Sequence, residues 1–415
     1  MAQINPYSRK NFLLIALNGI LFRLGAVFIE VNTILPLFIK TISNSSVLVG
    51  LVNSMGKAGW FLPQIFSAHL IDDRPYKKPL YVKCAILRGL SIAVIPIIVI
   101  NYRALGNSTV LWLLLLIYGI YAIAGGMSGV AGMDIIGRTV RSDKRALLFS
   151  LRWGIGGILA VGGGYSAKII LKKLAFPNNF ALLFAIAAAI IDLALFTFIL
   201  VDEPPAPVSK KGRDNLWRFI VSGVKLLSRD RNYRNLYITR AFMGLWSGAL
   251  PFYILYARKE LDVAAYYAGL FAMAQSLGQI LPNAVWGPLG RRYGNQKIIQ
   301  VGASFTAFMP AIALIVRHLP QYLWIPSLWI MFFVGALALN GIIVGSMSYM
   351  LDISPDDARS KYIGTFNTLI SPWMFVPMIA GALLDTVGFK TLFFASFVTG
   401  IGAAVVSSRL TPGRY

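Results

Sequence analysis

The chain has 415 residues, 57% of them hydrophobic and only 13% charged, and its mean hydropathy of +0.67 is above what a water-soluble globular surface tolerates. Thirty-nine Lys and Arg against 16 Asp and Glu give a formal charge of +23, an excess that can mark a phosphate-binding surface. Here the basic residues fall mostly in short segments between apolar runs, which is the pattern of a polytopic membrane protein and argues against nucleic acid as a partner.

The polar N-terminal stretch MAQINPYSRKN is short, and the apolar run after it is too long for a signal-peptide core and lacks a small-residue cleavage pattern, so it is expected to stay as a spanning helix. A helix needs about 20 largely apolar residues to cross the hydrocarbon core. Twelve segments qualify: spans 1 to 6 at 11–38, 47–70, 80–101, 109–133, 147–170 and 179–201, then spans 7 to 12 at 234–257, 263–286, 298–317, 323–350, 362–386 and 389–408. Cys84, the only cysteine, lies in span 3, so no internal disulfide can form.

Between spans 6 and 7 the sequence opens with three prolines and then turns basic, a linker signature. Leu216, Phe219, Ile220 and Leu227 fall on one helical face with Arg218, Ser222, Lys225 and Arg229 opposite, as in an interfacial helix; a solvated basic linker fits equally well. With the N-terminus inside, the inner segments hold 25 basic residues and the outer ones 8, which predicts that both termini are cytoplasmic.

Span 2 contains GLVNSMGKAGWFLPQ (Gly50–Gln64) and span 8 contains GLFAMAQSLGQILPN (Gly269–Asn283), at a constant offset of 219. Gly50/Gly269, Leu51/Leu270, Gly59/Gly278, Leu62/Leu281 and Pro63/Pro282 are identical, and each copy leads into a basic turn, LIDDRPYKKPL and GPLGRRYGNQK. A duplicated half is the signature of a parallel-repeat architecture. The expected organisation is residues 1–201 as an N-terminal six-helix bundle, 202–232 as a cytoplasmic basic linker with a possible interfacial helix, and 233–415 as a C-terminal six-helix bundle.

The second turn resembles the loop motif of the major facilitator superfamily, Gly-x-Leu-Ala-Asp-Arg-x-Gly-Arg-Lys, through Gly287, Leu289, Arg292 and Gly294, with Arg291 in place of the aspartate. The first turn keeps Asp73, Arg74, Lys77 and Lys78, while His69 and Tyr76 replace its glycines. IEVNTILP, at the end of span 1, resembles a pattern some members carry there. The resemblance implies an all-α membrane protein of twelve transmembrane helices in two pseudo-symmetric six-helix bundles, around a cavity that opens alternately to either side. It also makes the two turns gating loops, with Arg145 and Arg359 as candidate partners for a carboxylate such as Asp73.

A charge at mid-bilayer costs at least about 2.5 to 3.5 kcal/mol, so charges inside spans are candidate functional groups. Arg23 and Lys57 lie at similar depth on spans 1 and 2. Glu30 is seven residues, about 10 Å, beyond Arg23 on the same face, which favours a neighbouring helix, and Lys57 on it, over Arg23 as its partner. Asn32, Asn53, Gln275 and Gln279 are polar groups at similar positions, and the cavity-lining helices implied by the resemblance add Tyr118, Tyr121, Arg240, Trp246 and Asn340. Arg88 and Arg152 are expected to reach the interface with their long side chains, and Asp192 to serve packing.

Helix-packing glycines from Gly154 to Gly164 resemble the family's antiporter motif at Gly154, Gly162 and Gly163, but Ile158 and Leu159 replace its Gly-Pro core, and span 4 lacks the arginine of drug/proton antiporters. There is no Walker loop, and His69 and His318 lie far apart, which argues against an ATP-driven pump or a metalloenzyme. The expectation is therefore a monomeric secondary transporter in a plasma or inner membrane, moving a small solute, anionic by weak preference, with the bilayer as its other partner. It needs no cofactor beyond a proton gradient, for which Glu30 is the candidate. A multidrug exporter, or a transporter-like sensor, assembly factor or lipid handler, is the alternative.

Overall fold

The computed structural model describes residues 8–71, 74–205, 224–354 and 359–412. Asp73 lies outside the described residues, as do Leu216, Phe219 and Ile220 of the interfacial-helix reading and the side chains of His69 and Arg359. Among the described residues there is helix and no strand.

Span 1 is expected as one helix and is two, α1 (Arg9–Val27) and α2 (Ile34–Ile42). Pro36 stands in the first turn of the restarted helix, where its missing N–H costs no helical bond, which favours a new start there over continuation from α1. Span 7 breaks likewise into α8 (Arg231–Ser247) and α9 (Tyr253–Lys259), with Pro251 four residues after the last residue of α8. Between these lie α3 (Ser46–Ile71), α4 (Lys78–Ile100), α5 (Tyr102–Thr139), α6 (Ser142–Lys173) and α7 (Asn178–Ile199), one for each of spans 2 to 6.

Span 8 is α10 (Tyr267–Ile280) and α11 (Asn283–Tyr293), divided at Pro282, whereas the matching Pro63 sits inside an unbroken α3. Span 9 is α12 (Asn295–Ser304) and α13 (Phe308–Ile315), span 10 is α14 (Trp324–Ile353), and α15 (Arg359–Ile370) opens span 11. The last helix, α16 (Val376–Ser407), carries the rest of span 11 and all of span 12; Gly388, at φ +74°, turns the chain between them in a conformation that side-chain-bearing residues rarely adopt. The architecture is the expected one, an all-α membrane protein consistent with twelve spans.

The chain forms two compact units: residues 1–44, 55–211 and 265–273, and residues 45–54, 212–264 and 274–415. In unit 1, α4 packs on α5 and α7, and α1 packs on α7 and α6. In unit 2, α12 packs on α14 and α16, and α8 packs on α16 and, through Gly244 against Trp373, on the middle of span 11. The two neighbour orders match when spans six apart are equated.

The duplicated glycines explain the duplicated packing. A side chain on Gly59 would meet Ala122 of α5 at 2.6 Å, and one on Gly278 would overlap the backbone of Phe333 on α14. In unit 2 a side chain on Gly50 would overlap the carbonyl of Pro377, and in unit 1 one on Gly269 would overlap the backbone of Lys168. Each copy thus brings two helix backbones into direct contact. The outward faces stay apolar: Ile86, Leu90 and Ile97 on α4 and Leu193 and Phe196 on α7 are exposed, as helices in lipid require.

Candidate functional site

Breaking span 1 leaves backbone donors without helical partners, and Glu30 takes them. Its Oε2 accepts from Asn32 N at 2.6 Å and from Thr33 Oγ1 at 3.0 Å, and its Oε1 accepts from Asn32 Nδ2 at 3.1 Å. The restarting helix is anchored on the same residue, because the Glu30 carbonyl accepts from Leu35 N at 3.0 Å. Asn32, a sequence candidate in its own right, is therefore part of the Glu30 turn.

Glu30 lies within electrostatic range of Lys57 of α3 and Tyr118 of α5. Lys57 Nζ is buried and makes no hydrogen bond among the described residues. Tyr118 is buried with its hydroxyl against Gly56, the neighbour of Lys57, and its ring stacks on Tyr121 at 5.9 Å. The structure thus brings Glu30, Asn32, Lys57, Tyr118 and Tyr121 into one group within unit 1. Asn53 is buried one turn earlier on α3.

Arg88 overturns the expectation that it reaches the interface: it is 7% exposed and turned inward. Its Nη2 donates to Tyr121 Oη at 3.1 Å, and its guanidinium carbon lies 4.5 Å from the ring centres of both Tyr121 and Phe22. A depth count could not find this, because it depends on which way α4 is rotated. Arg152 also turns inward, donating to Asn18 Oδ1 at 3.3 Å. Arg23 stacks over the Trp153 ring at 4.1 Å. Asp192 packs on Gly89 as a packing group would, but its Oδ1 is buried without a hydrogen-bond partner among the described residues.

In unit 2, Trp246 is fully enclosed and its carbonyl accepts from Ser396 Oγ at 3.2 Å; Arg240 is half-buried six residues earlier on α8. Asn340 uses both ends of its amide, accepting from Trp286 Nε1 at 2.9 Å and donating to the Gln279 carbonyl at 3.1 Å. Gln275 is buried one turn before Gln279 on α10.

The first basic turn is organised by Glu203, which falls within the expected linker. Glu203 has a side chain only 1% exposed; its carboxylate accepts from Lys77 N at 2.8 and 3.0 Å and from Lys78 N at 2.8 Å, and lies 3.5 Å from Arg138 Nη1. It is the cap of α4, filling the positive end of that helix with negative charge. Lys78 Nζ donates to the Val201 carbonyl and Lys77 Nζ to the Arg74 carbonyl, each at 2.7 Å, and Arg138 also pairs with Asp134. Arg145 is occupied by the end of α5, donating to the carbonyls of Val140 and Gly137. In the second turn Gly294, at φ +85°, separates α11 from α12, Arg292 lies over Tyr293, and Gly287 faces open space.

The sequence profile described as Major Facilitator Superfamily matches residues 12–373 and, in a second alignment, 236–415. The multidrug resistance protein MdtG of Salmonella dublin is 23% identical over 384 residues, covering 90% of this chain and 88% of that protein. MdtG of Escherichia coli O17:K52:H18 is 22% identical over 404 residues, covering 94% and 92%. Among solved structures, a mutant of the nucleoside transporter NupG superposes with a TM-score of 0.71 at 13% identity, covering 96% of this chain and 98% of that one. A bacterial homologue of the iron transporter ferroportin, in its inward-facing state, gives 0.69 at 17% identity with the same coverage. At these identities the structural likeness speaks to the fold.

Proposed function

Because the chain belongs to the major facilitator superfamily, and is thus a membrane transporter and not an enzyme, we propose that it is a proton-coupled secondary transporter in which Glu30 carries the proton and Lys57 is the charge that answers it. The observation supporting this is the place of Glu30, an intramembrane carboxylate holding three donors at the break in span 1. Broken helices are where transporters build ion and substrate sites. An ionised carboxylate only accepts hydrogen bonds, whereas a protonated one also donates, so protonation sets the new O–H against the Asn32 and Thr33 donors and withdraws the negative charge acting on Lys57. The break then repacks.

The proposed cargo is a small organic anion, supported by the excess of cations over carboxylates deep in spans 1, 2 and 7: Arg23, Lys57 and Arg240 against Glu30. Export of lipophilic drugs is the second reading, favoured by the MdtG relatives. The proposed setting is a bacterial cytoplasmic membrane with both termini inside, supported by the 25-to-8 distribution of basic residues.

The test uses purified protein in proteoliposomes under an imposed proton gradient, with panels of organic anions and of lipophilic cations. Anion-dependent proton movement that is lost in Glu30→Gln is the expected result. Movement with unchanged pH dependence in Glu30→Gln would remove the coupling assignment, and stimulation by lipophilic cations alone would establish the exporter reading.

A further inference from the structure

We propose that Arg88 is a positioning residue of the coupling site: it holds Tyr121, and through it Tyr118, against α3 beside Lys57. This rests on the reading of Glu30 as the coupling carboxylate. The chain of contacts is continuous. Arg88 Nη2 donates to Tyr121 Oη at 3.1 Å, Tyr121 stacks on Tyr118 at 5.9 Å, and the Tyr118 hydroxyl abuts Gly56, next to Lys57.

The surroundings of Arg88 favour this role over an ion pair or a simple anchor. Its guanidinium lies flat against Gly125, 3.1 to 3.3 Å from where a side chain on that residue would begin. Phe22 of α1 and Tyr121 of α5 close on it at 4.5 Å, and Trp60 of α3 lies at 5.9 Å. Other polar groups on the packed helices are Tyr81 on its own α4, Lys57 on α3, Tyr118 on α5, Arg152 on α6 and Asp192 on α7; no carboxylate among the described residues pairs with it. A guanidinium buried without a counter-ion is costly, so it is kept for what its fixed plane does, and here that plane orients Tyr121. Gly56 and Gly125 leave the room the arrangement needs.

The experiment compares detergent-purified wild type, Arg88→Gln, Arg88→Lys, Tyr121→Phe, the Arg88→Gln/Tyr121→Phe double variant and Glu30→Gln, with the proton itself as the probe. Two quantities are measured. The first is backbone hydrogen exchange along α3 and the rest of unit 1. The second is the pH titration of intrinsic tryptophan fluorescence, to which Trp60 contributes from beside Arg88. Exchange around Gly56 should rise roughly tenfold in Arg88→Gln and equally in Tyr121→Phe, with no further rise in the double variant, as for two residues acting as one unit. The titration midpoint should move by at least about half a pH unit in the same variants. Arg88→Lys should behave like Arg88→Gln, because an ammonium lacks the planar fork.

Unchanged exchange near Gly56, a rise in Arg88→Gln absent from Tyr121→Phe, a rise spread over the whole of unit 1, or wild-type behaviour of Arg88→Lys would each overturn the positioning role. Persistence of the titration in Glu30→Gln would instead sink the coupling reading, with the exchange data still deciding whether Arg88 positions the tyrosines.

Discussion

Removing the charge of Glu203 should loosen unit 1 at the N-terminus of α4. Glu203→Gln keeps the shape of the side chain but replaces one acceptor oxygen by an N–H₂ donor facing backbone N–H groups. The native carboxylate accepts from Lys77 N and Lys78 N and faces Arg138 at 3.5 Å, while 1% exposed. Hydrogen bonds to a charged group are worth about 1.5 to 3 kcal/mol each. Glutamine retains about half of them, so the expected loss is about 3 kcal/mol, the lower end of what breaking a buried ion pair costs. The protein carries its own reporter, since Cys84 is the only cysteine, is buried, and sits on the helix that Glu203 caps. A thiol-reactive fluorophore followed during a thermal ramp should report Cys84 exposure about 6 °C earlier in Glu203→Gln, taking roughly 2 °C per kcal/mol for a unit of this size. Glu203→Asp, which keeps the charge on a shorter arm, should fall between the two. A Glu203→Gln melt within about 1 °C of wild type would show that the carboxylate is not what holds α4.

The same thermal assay should give the opposite sign at Asp192: with Oδ1 buried and unbonded, Asp192→Asn should be neutral or stabilising by up to about 2 kcal/mol, and a lowered melt would reveal a partner for the carboxylate. Gly50→Val and Gly269→Val should each cost more than about 2 kcal/mol, because the new side chain would meet backbone that cannot move aside, whereas Gly287→Ala, with open space around it, should match wild type; equal melts for all three would refute the close-packing role of the repeat.

The architecture was legible because hydropathy is a property of a segment: twelve apolar runs and one duplicated Gly and Leu-Pro pattern are visible without knowing how any helix is turned. The breaks were only half legible: Pro36 and Pro251 mark helix restarts, but Pro63 and Pro96 sit inside unbroken helices, so proline by itself does not tell a break from a kink. Reading span 1 as one helix placed Glu30 on a helical face, when it belongs to a turn whose donors it accepts. Glu203 was hidden for another reason. Its cap joins residues 126 apart in sequence, and beside Asp202 and a run of prolines it looks like part of the linker.

What the sequence withholds is the rotation of each helix about its axis, and the glycines account for how the structure decides it. Arg88 lies on Gly125 of α5, Arg152 on Gly19 of α1, Asp192 on Gly89 of α4, and the stem of Arg23 beside Gly156 of α6. Each of these intramembrane charges has a glycine on the facing helix. A charged group against lipid loses hydration and gains nothing, whereas a bare glycine on the facing helix leaves room to tuck it between helices. Glycine on one helix therefore fixes the azimuth of a charge on the next. Helix α1 is the clearest case, because Gly19 and Arg23 lie one turn apart and so share a face: Gly19 receives Arg152 and Arg23 meets Gly156, all on the α1–α6 contact. That contact aligns Phe22, one residue before Arg23, with Arg88 on the adjoining side of α1, which ties the packing of α6 to the tyrosines beside Lys57.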